Sequence, residues 1–332
     1  MKRPVSIKIK NLAIGLTLLT CFSSMGWSQG DAYPNRPIKL IITWPVGGFA
    51  DTLGRTVANQ LTTSLGQQVV VENRGGANGM IGADAVAKAA PDGYTLMFQS
   101  VTSHAINPTM YGKTPYSTEK DIIPLAVVAS VPMLLVANPS FPPKNISELI
   151  ALAKKEPDAI SYASFGNGSA SHLAGALFTN QAGIKMTHIP YKGGAPAITD
   201  TMSGQVPLSF SAFGVALPHV RAGKLIALGT TGPNRAKLLP DVPTIEEAGN
   251  LKGYEMSIVY AVWAPAGVPT PILNKISKSL EQVIASSAFR EKVASDGGEV
   301  LNITTPAESQ TYFQKEMQRL SKIVKDGNIK AD

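Results

Sequence analysis

Cysteine is almost missing from this 332-residue chain, which has one, Cys21. Histidine is scarce as well: His104, His172, His188 and His219 are the four, and no two are spaced as a helix-borne metal pair would be. The His-Glu-x-x-His pattern does not occur. These absences argue against a disulfide scaffold and give no support to a metal site. The Gly-x-Ser-x-Gly elbow of serine hydrolases is absent. Gly76, Gly79 and Gly82 lack the spacing of a dinucleotide-binding turn and the Lys-Ser/Thr ending of a phosphate loop. No cofactor is therefore expected. Charged residues make up only 16% of the chain and no long polar tract occurs, which argues against disorder. Beyond residue 28, no apolar segment is long enough to span a bilayer.

What is present begins with a leader. Lys2, Arg3, Lys8 and Lys10 precede an apolar run from Leu12 to Cys21, and Gly26-Trp27-Ser28 offers small residues at a cleavage site. This is the three-part pattern of a secretory signal peptide over residues 1–28, so the mature chain is expected in the periplasm. Leu18-Leu19-Thr20-Cys21 resembles a lipoprotein box, but threonine is a poor residue before the lipidated cysteine. The full chain carries 30 basic and 23 acidic residues; removal of the leader leaves 26 against 23, a balance of +3. So mild a charge, without a recognition motif, argues against nucleic acid as a partner. About 300 mature residues suggest two domains.

The chain is organised around the stretch Leu40 to Arg55. Lys39 to Thr43 is β-prone; Pro45 and the pair Gly47-Gly48 end the run. Asp51 then precedes Leu53, Val57 and Leu61 at helical spacing. The free N–H groups of such a helix start favour an anion, and adjacent glycines let the backbone approach it closely. The alternative is an ordinary strand–helix turn that binds nothing. From there strands (38–43, 68–72, 95–99) alternate with helices (50–65, 80–89), which predicts a parallel sheet flanked by helices. Ser100 to Asn107 leaves the third strand at its carboxyl end, where hydroxyls can meet a ligand or simply cap the next helix.

Leu125 to Asn138, interrupted by Pro132, is long for one strand and reads as a crossing between domains; Tyr254 to Ala264 reads as a second crossing. Between them the rhythm repeats, with helices at 146–155, 172–181 and 195–202 and strands at 160–163, 187–189, 208–211 and 225–230. The C-terminal segments 271–285, 288–295 and 306–325 are helical and should pack back on the first domain. Ser164 to His172 and Tyr191 to Ala197 each place a glycine turn at a helix start after a strand. Three such turns can converge on one anion. No acid–base pair accompanies them, which favours a binder over a catalyst.

The ordered motifs resemble the Bug-type periplasmic solute receptors of tripartite tricarboxylate transporters. They are Gly47-Gly48-x-x-Asp51-x-x-x-Arg55, Val69 to Gly75, Ala90 to Leu96, Asn107-Pro108-x-x-Tyr111, Ser164 to Leu173, Pro190 to Pro196, Leu239 to Gly249 and Ala264 to Gly267. The resemblance implies an α/β, type II-like periplasmic-binding-protein fold. Each of its two domains is a mainly parallel sheet flanked by helices, with the ligand cleft between them. The domains would be residues 33–130 with 254–332, and residues 131–253. It implies hinge closure on a small organic carboxylate, delivery to integral-membrane transporter subunits, a monomer and no enzymatic activity. The ligand-contacting positions it carries over are Val46, Gly47, Gly48, Phe49, Ala50, Ser100 and Thr102. From the second domain come Ser164, Gly168, Ser169, Ala170, Ser171, Gly193, Ser211, Ala212 and Phe213. Asp51 and Arg55 read instead as a structural i, i+4 pair. The chain departs from the family pattern at Ser211, where aspartate is frequent, at Phe49, where a smaller residue is usual, and at Val259 and Ala261. Loss of that aspartate puts an amino-acid ligand in doubt. Two other functions stay open: a ligand-sensing adaptor for a membrane signalling protein, and a hydrolase using Ser169 or Ser171.

Overall fold

The computed structural model describes residues 33–327 together with Met1 and Ile329. The expected signal peptide, with Cys21, lies outside the described residues. From Arg36 onward the chain forms one compact unit.

The opening apolar run becomes β1 (Ile38–Ile42), followed by α1 (Phe49–Leu65) and β2 (Val69–Asn73). α2 (Met80–Ala87), β3 (Thr95–Ser100) and α3 (Val101–Tyr111) continue the alternation. β1 pairs in parallel with both β2 and β3. α1 shows why sequence fixes geometry here. Leu53, Val57 and Leu61 are fully buried on its sheet face, and Gly66 in the left-handed conformation stops it.

β4 (Ile122–Ala137) is a 16-residue strand, and it does pass from one ladder to another. Ile122 to Pro132 pairs antiparallel with β9 (Ser257–Pro265), whereas Met133 to Ala137 pairs with β7 (Leu208–Ala212). Pro132 stands at the changeover between the two ladders. The second set of elements is α4 (Ile146–Lys155), β5 (Ser161–Ser164), α5 (Ala170–Ala182), β6 (Thr187–Pro190), α6 (Gly194–Ser203), β7, α7 (Phe213–Arg221), β8 (Ile226–Thr230) and the short α8 (Ile245–Gly249). The chain then closes with β9, α9 (Thr270–Ala285), α10 (Ser287–Ser295), β10 (Glu299–Ile303) and α11 (Pro306–Asp326). α9 packs on α1 and α11 on α3, as the sequence predicts for the C-terminal helices.

Three expectations need correction. The sheet is mixed rather than mainly parallel: β2-β1-β3 and β7-β5-β6 are parallel, but β4 and β9 run antiparallel to their neighbours. Alternation with helices does not by itself make a sheet parallel: α3 precedes β4 and α8 precedes β9, yet both strands run antiparallel to their neighbours. Second, within the run Tyr254–Ala264 the crossing is made by the residues before Ser257, because β9 itself pairs with β3 and β4 among the described strands. The return from β8 is made by the segment before it, where the Met256 N–H donates to the Thr231 carbonyl at 2.9 Å. Third, the sequence predicts no α7, α8 or β10; Pro218 inside α7, the five-residue length of α8 and the partly exposed β10 hide the three patterns.

His104 is fully buried among Trp263, Phe313 and Tyr116. Burial, only partly offset by a backbone hydrogen bond with Thr118, pushes its imidazole down to about 3, so it is a neutral core residue. Among the described residues no three His, Cys, Asp or Glu side chains cluster as metal ligands would. No helix among them is long and apolar enough to cross a membrane.

Candidate ligand-binding cleft

Loops at the carboxyl ends of five strands, β1 and β3 in one parallel set and β5, β6 and β7 in the other, meet around one cavity of 330 Å³. The turn after β1 supplies Trp44 to Ala50. The end of β3 supplies Ser100 and, one turn into α3, Ser103. β5–α5 gives Phe165, Ser169 and Ala170, and β6–α6 gives Lys192 to Pro196. β7–α7 gives Ala212 and Val215, and β9 closes the wall with Ile258 and Tyr260. The N-termini of five helices, α1, α3, α5, α6 and α7, therefore reach the same space.

Those termini differ in how their N–H groups are satisfied. Ser100 and Ser169 cap α3 and α5 by accepting from the Ser103 and His172 backbone N–H groups. α1, α6 and α7 begin at Gly48, Gly193 and Ala212 with no side-chain cap. Their first-turn N–H groups have no intrahelical acceptor and remain available to a ligand. Gly47 (φ 87°) and Gly193 (φ 109°) hold conformations that only glycine adopts freely. Gly48 has ordinary backbone angles, and a Cβ there would meet only the Pro45 carbonyl oxygen, at 3.9 Å.

Asp51 fixes the first turn from behind. Its carboxylate accepts from the Gly47 N–H at 3.0 Å, the Arg55 Nε at 2.9 Å and the Asn73 Nδ2 at 2.9 Å. Burial alone would raise its pKa; the bonds from Arg55, Gly47 and Asn73 outweigh it and hold the carboxyl below its usual value. Asp51 is thus spent on structure and does not line the cavity. The lining contains no acidic side chain, and Lys192 is its one charged group.

Of the positions expected from the sequence, Val46, Gly47, Gly48, Phe49, Ala50, Ser100, Ser169, Ala170, Gly193 and Ala212 come together on the wall. The other six lie behind it. Thr102 donates to the Ser257 carbonyl at 3.3 Å, and Ser171 to the Phe210 carbonyl at 2.6 Å. Ser164 is buried and hydrogen-bonds the His188 Nε2 at 2.6 Å. Gly168 turns its carbonyl to Asn78 at 2.9 Å. Ser211 points to the face of β7 opposite its neighbour Ala212, and Phe213 packs into the apolar core with Leu134 and Leu217. Phe165, Lys192, Gly194, Ala195 and Pro196 lie inside turns the sequence singled out, so only their individual roles were missed. Ile258 and Tyr260 alternate along β9, a period-two signal obscured by reading that run as a crossing strand. Trp44, Pro45 and Ser103 likewise lie inside singled-out stretches, residues 40–55 and 100–107, whereas Val215 carried no signal.

A cleft bounded by strand ends from two ladders and ringed by helix N-termini defines a solute receptor of the periplasmic-binding-protein class. Residues 53–329 match the family model of the tripartite tricarboxylate transporter family receptor, and the chain belongs to that family. The chain is 36% identical to Protein BugT of Bordetella pertussis over 303 residues, covering 91% of this chain and 92% of that one. The structure of the periplasmic binding protein BugD superposes with a TM-score of 0.81 at 35% identity, covering 90% of this chain and 100% of that one. R. palustris Rpa4515 with adipate superposes with a TM-score of 0.84 at 33% identity, covering 90% and 99% respectively.

Proposed function

We propose that the chain is an exported, monomeric solute-binding protein of the periplasm that captures a small organic carboxylate and delivers it to integral-membrane transporter subunits. Its two domains are residues 33–130 with 254–332, and residues 131–253, and they close on the ligand as a hinge. The observation that carries this reading is the convergence of five helix N-termini, three of them uncapped, on one cavity without an acidic side chain. The likeness to R. palustris Rpa4515 with adipate supports a carboxylate as the class of ligand. The leader over residues 1–28 supports export.

The receptor acts without turnover. A nucleophilic serine needs a base within hydrogen-bond reach. Ser169 Oγ donates to the Gly166 carbonyl at 2.7 Å, and Ser171 Oγ to Phe210, so both hydroxyls are committed to backbone. Ser164, which hydrogen-bonds the His188 imidazole, is buried behind the cavity wall.

Gly48→Leu tests the placement of the site. The backbone there accepts a side chain, and the leucine would project into the cleft. The variant should fold with an unchanged circular dichroism spectrum and lose carboxylate binding at least a hundredfold in calorimetric titration. Wild-type affinity in Gly48→Leu would overturn this site.

A further inference from the structure

The cavity wall is far more apolar than a site for a multiply charged acid requires. Four of its residues are aromatic, Trp44, Phe49, Phe165 and Tyr260, and they come from three segments: the turn after β1, the β5–α5 turn and β9. Two of these rings are held in place. Phe49 meets Tyr260 edge-on at 5.4 Å, Tyr260 stacks on Phe98 at 5.4 Å, and Lys292 sits 5.0 Å from the Phe49 ring centre. Val46, an exposed apolar residue, extends this surface to the mouth. Against this wall stand one cation, Lys192, and the uncapped helix termini.

The charges limit what can enter. An ammonium group would need an acidic partner, and none lines the cavity. Away from the helix termini, the serines and Lys192, a second or third carboxylate would lie against rings, where nothing replaces its lost water. The volume, 330 Å³, holds roughly ten to fifteen heavy atoms at about 20–30 Å³ each. Ring walls favour a ring between them, met edge-to-face or offset. Resting on the carboxylate-receptor reading above, we infer that the ligand is a monocarboxylate with one aromatic ring. Its carboxylate lies at the helix termini and its ring among Trp44, Phe49, Phe165 and Tyr260.

Benzoate is the probe for this class, titrated calorimetrically into the mature protein after unfolding and refolding to remove bound solutes. Malate, citrate, glutamate, adipate and the neutral benzamide are the comparisons. Benzoate should bind at least tenfold tighter than malate, citrate, glutamate and benzamide. Phe49→Ala should weaken benzoate at least fivefold and adipate less than twofold. Phe49 is buried against Tyr260, so Val46→Ser, at an exposed position, provides an independent variant that should weaken benzoate at least twofold. Binding of adipate, malate or citrate with no binding of benzoate would overturn the aromatic assignment and leave the carboxylate receptor standing. Benzamide binding as tightly as benzoate, or no binding by any acid, would overturn both.

Discussion

The carboxylate of Asp51 receives hydrogen bonds from three directions, and each ties a different segment to the mouth of the cleft. Arg55 comes from the same helix, Gly47 from the turn before it and Asn73 from the end of β2. Arg55 in turn reaches the Asn73 Oδ1 at 2.9 Å, so the three side chains form a closed network. Asp51→Asn removes the charge and leaves these donors with a weaker acceptor. It should cost about 1–3 kcal/mol of unfolding free energy at pH 7, measured by urea titration. The pH dependence has a definite sign. A carboxyl whose folded pKa lies below its unfolded value stabilises fully above the unfolded pKa, about 3.9. That contribution is lost as pH falls from there through the folded value. The stability gap between wild type and Asp51→Asn should therefore be constant from pH 7 to about 5 and shrink below about 4. A gap that persists undiminished at pH 2 would show that the network's worth is not in its charge.

Helix α1 places that network, and its position depends on a residue with no side chain. A Cβ at Gly54 would stand 2.7 Å from the Ile42 Cδ1 and 2.9 Å from the Phe98 Cδ1, both on buried strand residues. Gly54→Ala must push the helix off the sheet or displace both side chains. Overpacking of this kind costs about 1–3 kcal/mol, seen as a lower urea midpoint. Because α1 carries Gly48 to Ala50 to the cavity, ligand affinity should fall in the same variant even though Gly54 lies outside the wall. Retained affinity would mean that the turn after β1 is positioned by Asp51 rather than by the helix. The same element shows what was legible in the sequence. The strand–glycine turn–helix pattern of residues 40–65 could be read because its signals are local: a β-prone run, two glycines and a 3.6-residue apolar period. The i, i+4 pairing of Asp51 with Arg55 was local too. The partnership with Asn73, 22 residues from Asp51, was not, since nothing in spacing links a strand end to a helix start. The five helix termini were half legible for this reason. Three of the turns announce themselves by glycine, whereas α7 starts after Ala212 with neither a glycine nor a capping side chain. The antiparallel course of β9 is a property of tertiary assembly, which no run of apolar residues encodes.

Across the whole molecule, Asn78 makes one of the polar contacts between the two proposed domains, residues 33–130 with 254–332 and residues 131–253. Its Nδ2 donates to the Asn107 Oδ1 at 2.9 Å on its own side and to the Gly168 carbonyl at 2.9 Å on the other. Gly168 belongs to the turn that opens α5, so this one amide joins the α3 wall to the α5 wall. Gly168 also lies close to Met110 and Tyr111, and the Tyr111 hydroxyl approaches the Asn167 carbonyl at 3.5 Å. Hinge closure, as proposed, gains stability from every contact made only when the two sides are together. Asn78→Ala removes such a contact without touching the cavity wall, because Asn78 does not line it. One neutral hydrogen bond contributes about 0.5–1.5 kcal/mol, so affinity should fall about two- to twelvefold. The loss should appear in the dissociation rate, since ligand enters the open cleft before the bond forms. Stopped-flow fluorescence would separate the two rates. Small-angle scattering should show the ligand-induced contraction of the wild type reduced in the variant at equal, subsaturating ligand and restored at saturation. If the dissociation rate is unchanged in a folded Asn78→Ala protein, this bond is equally made with and without ligand, and the hinge lies elsewhere.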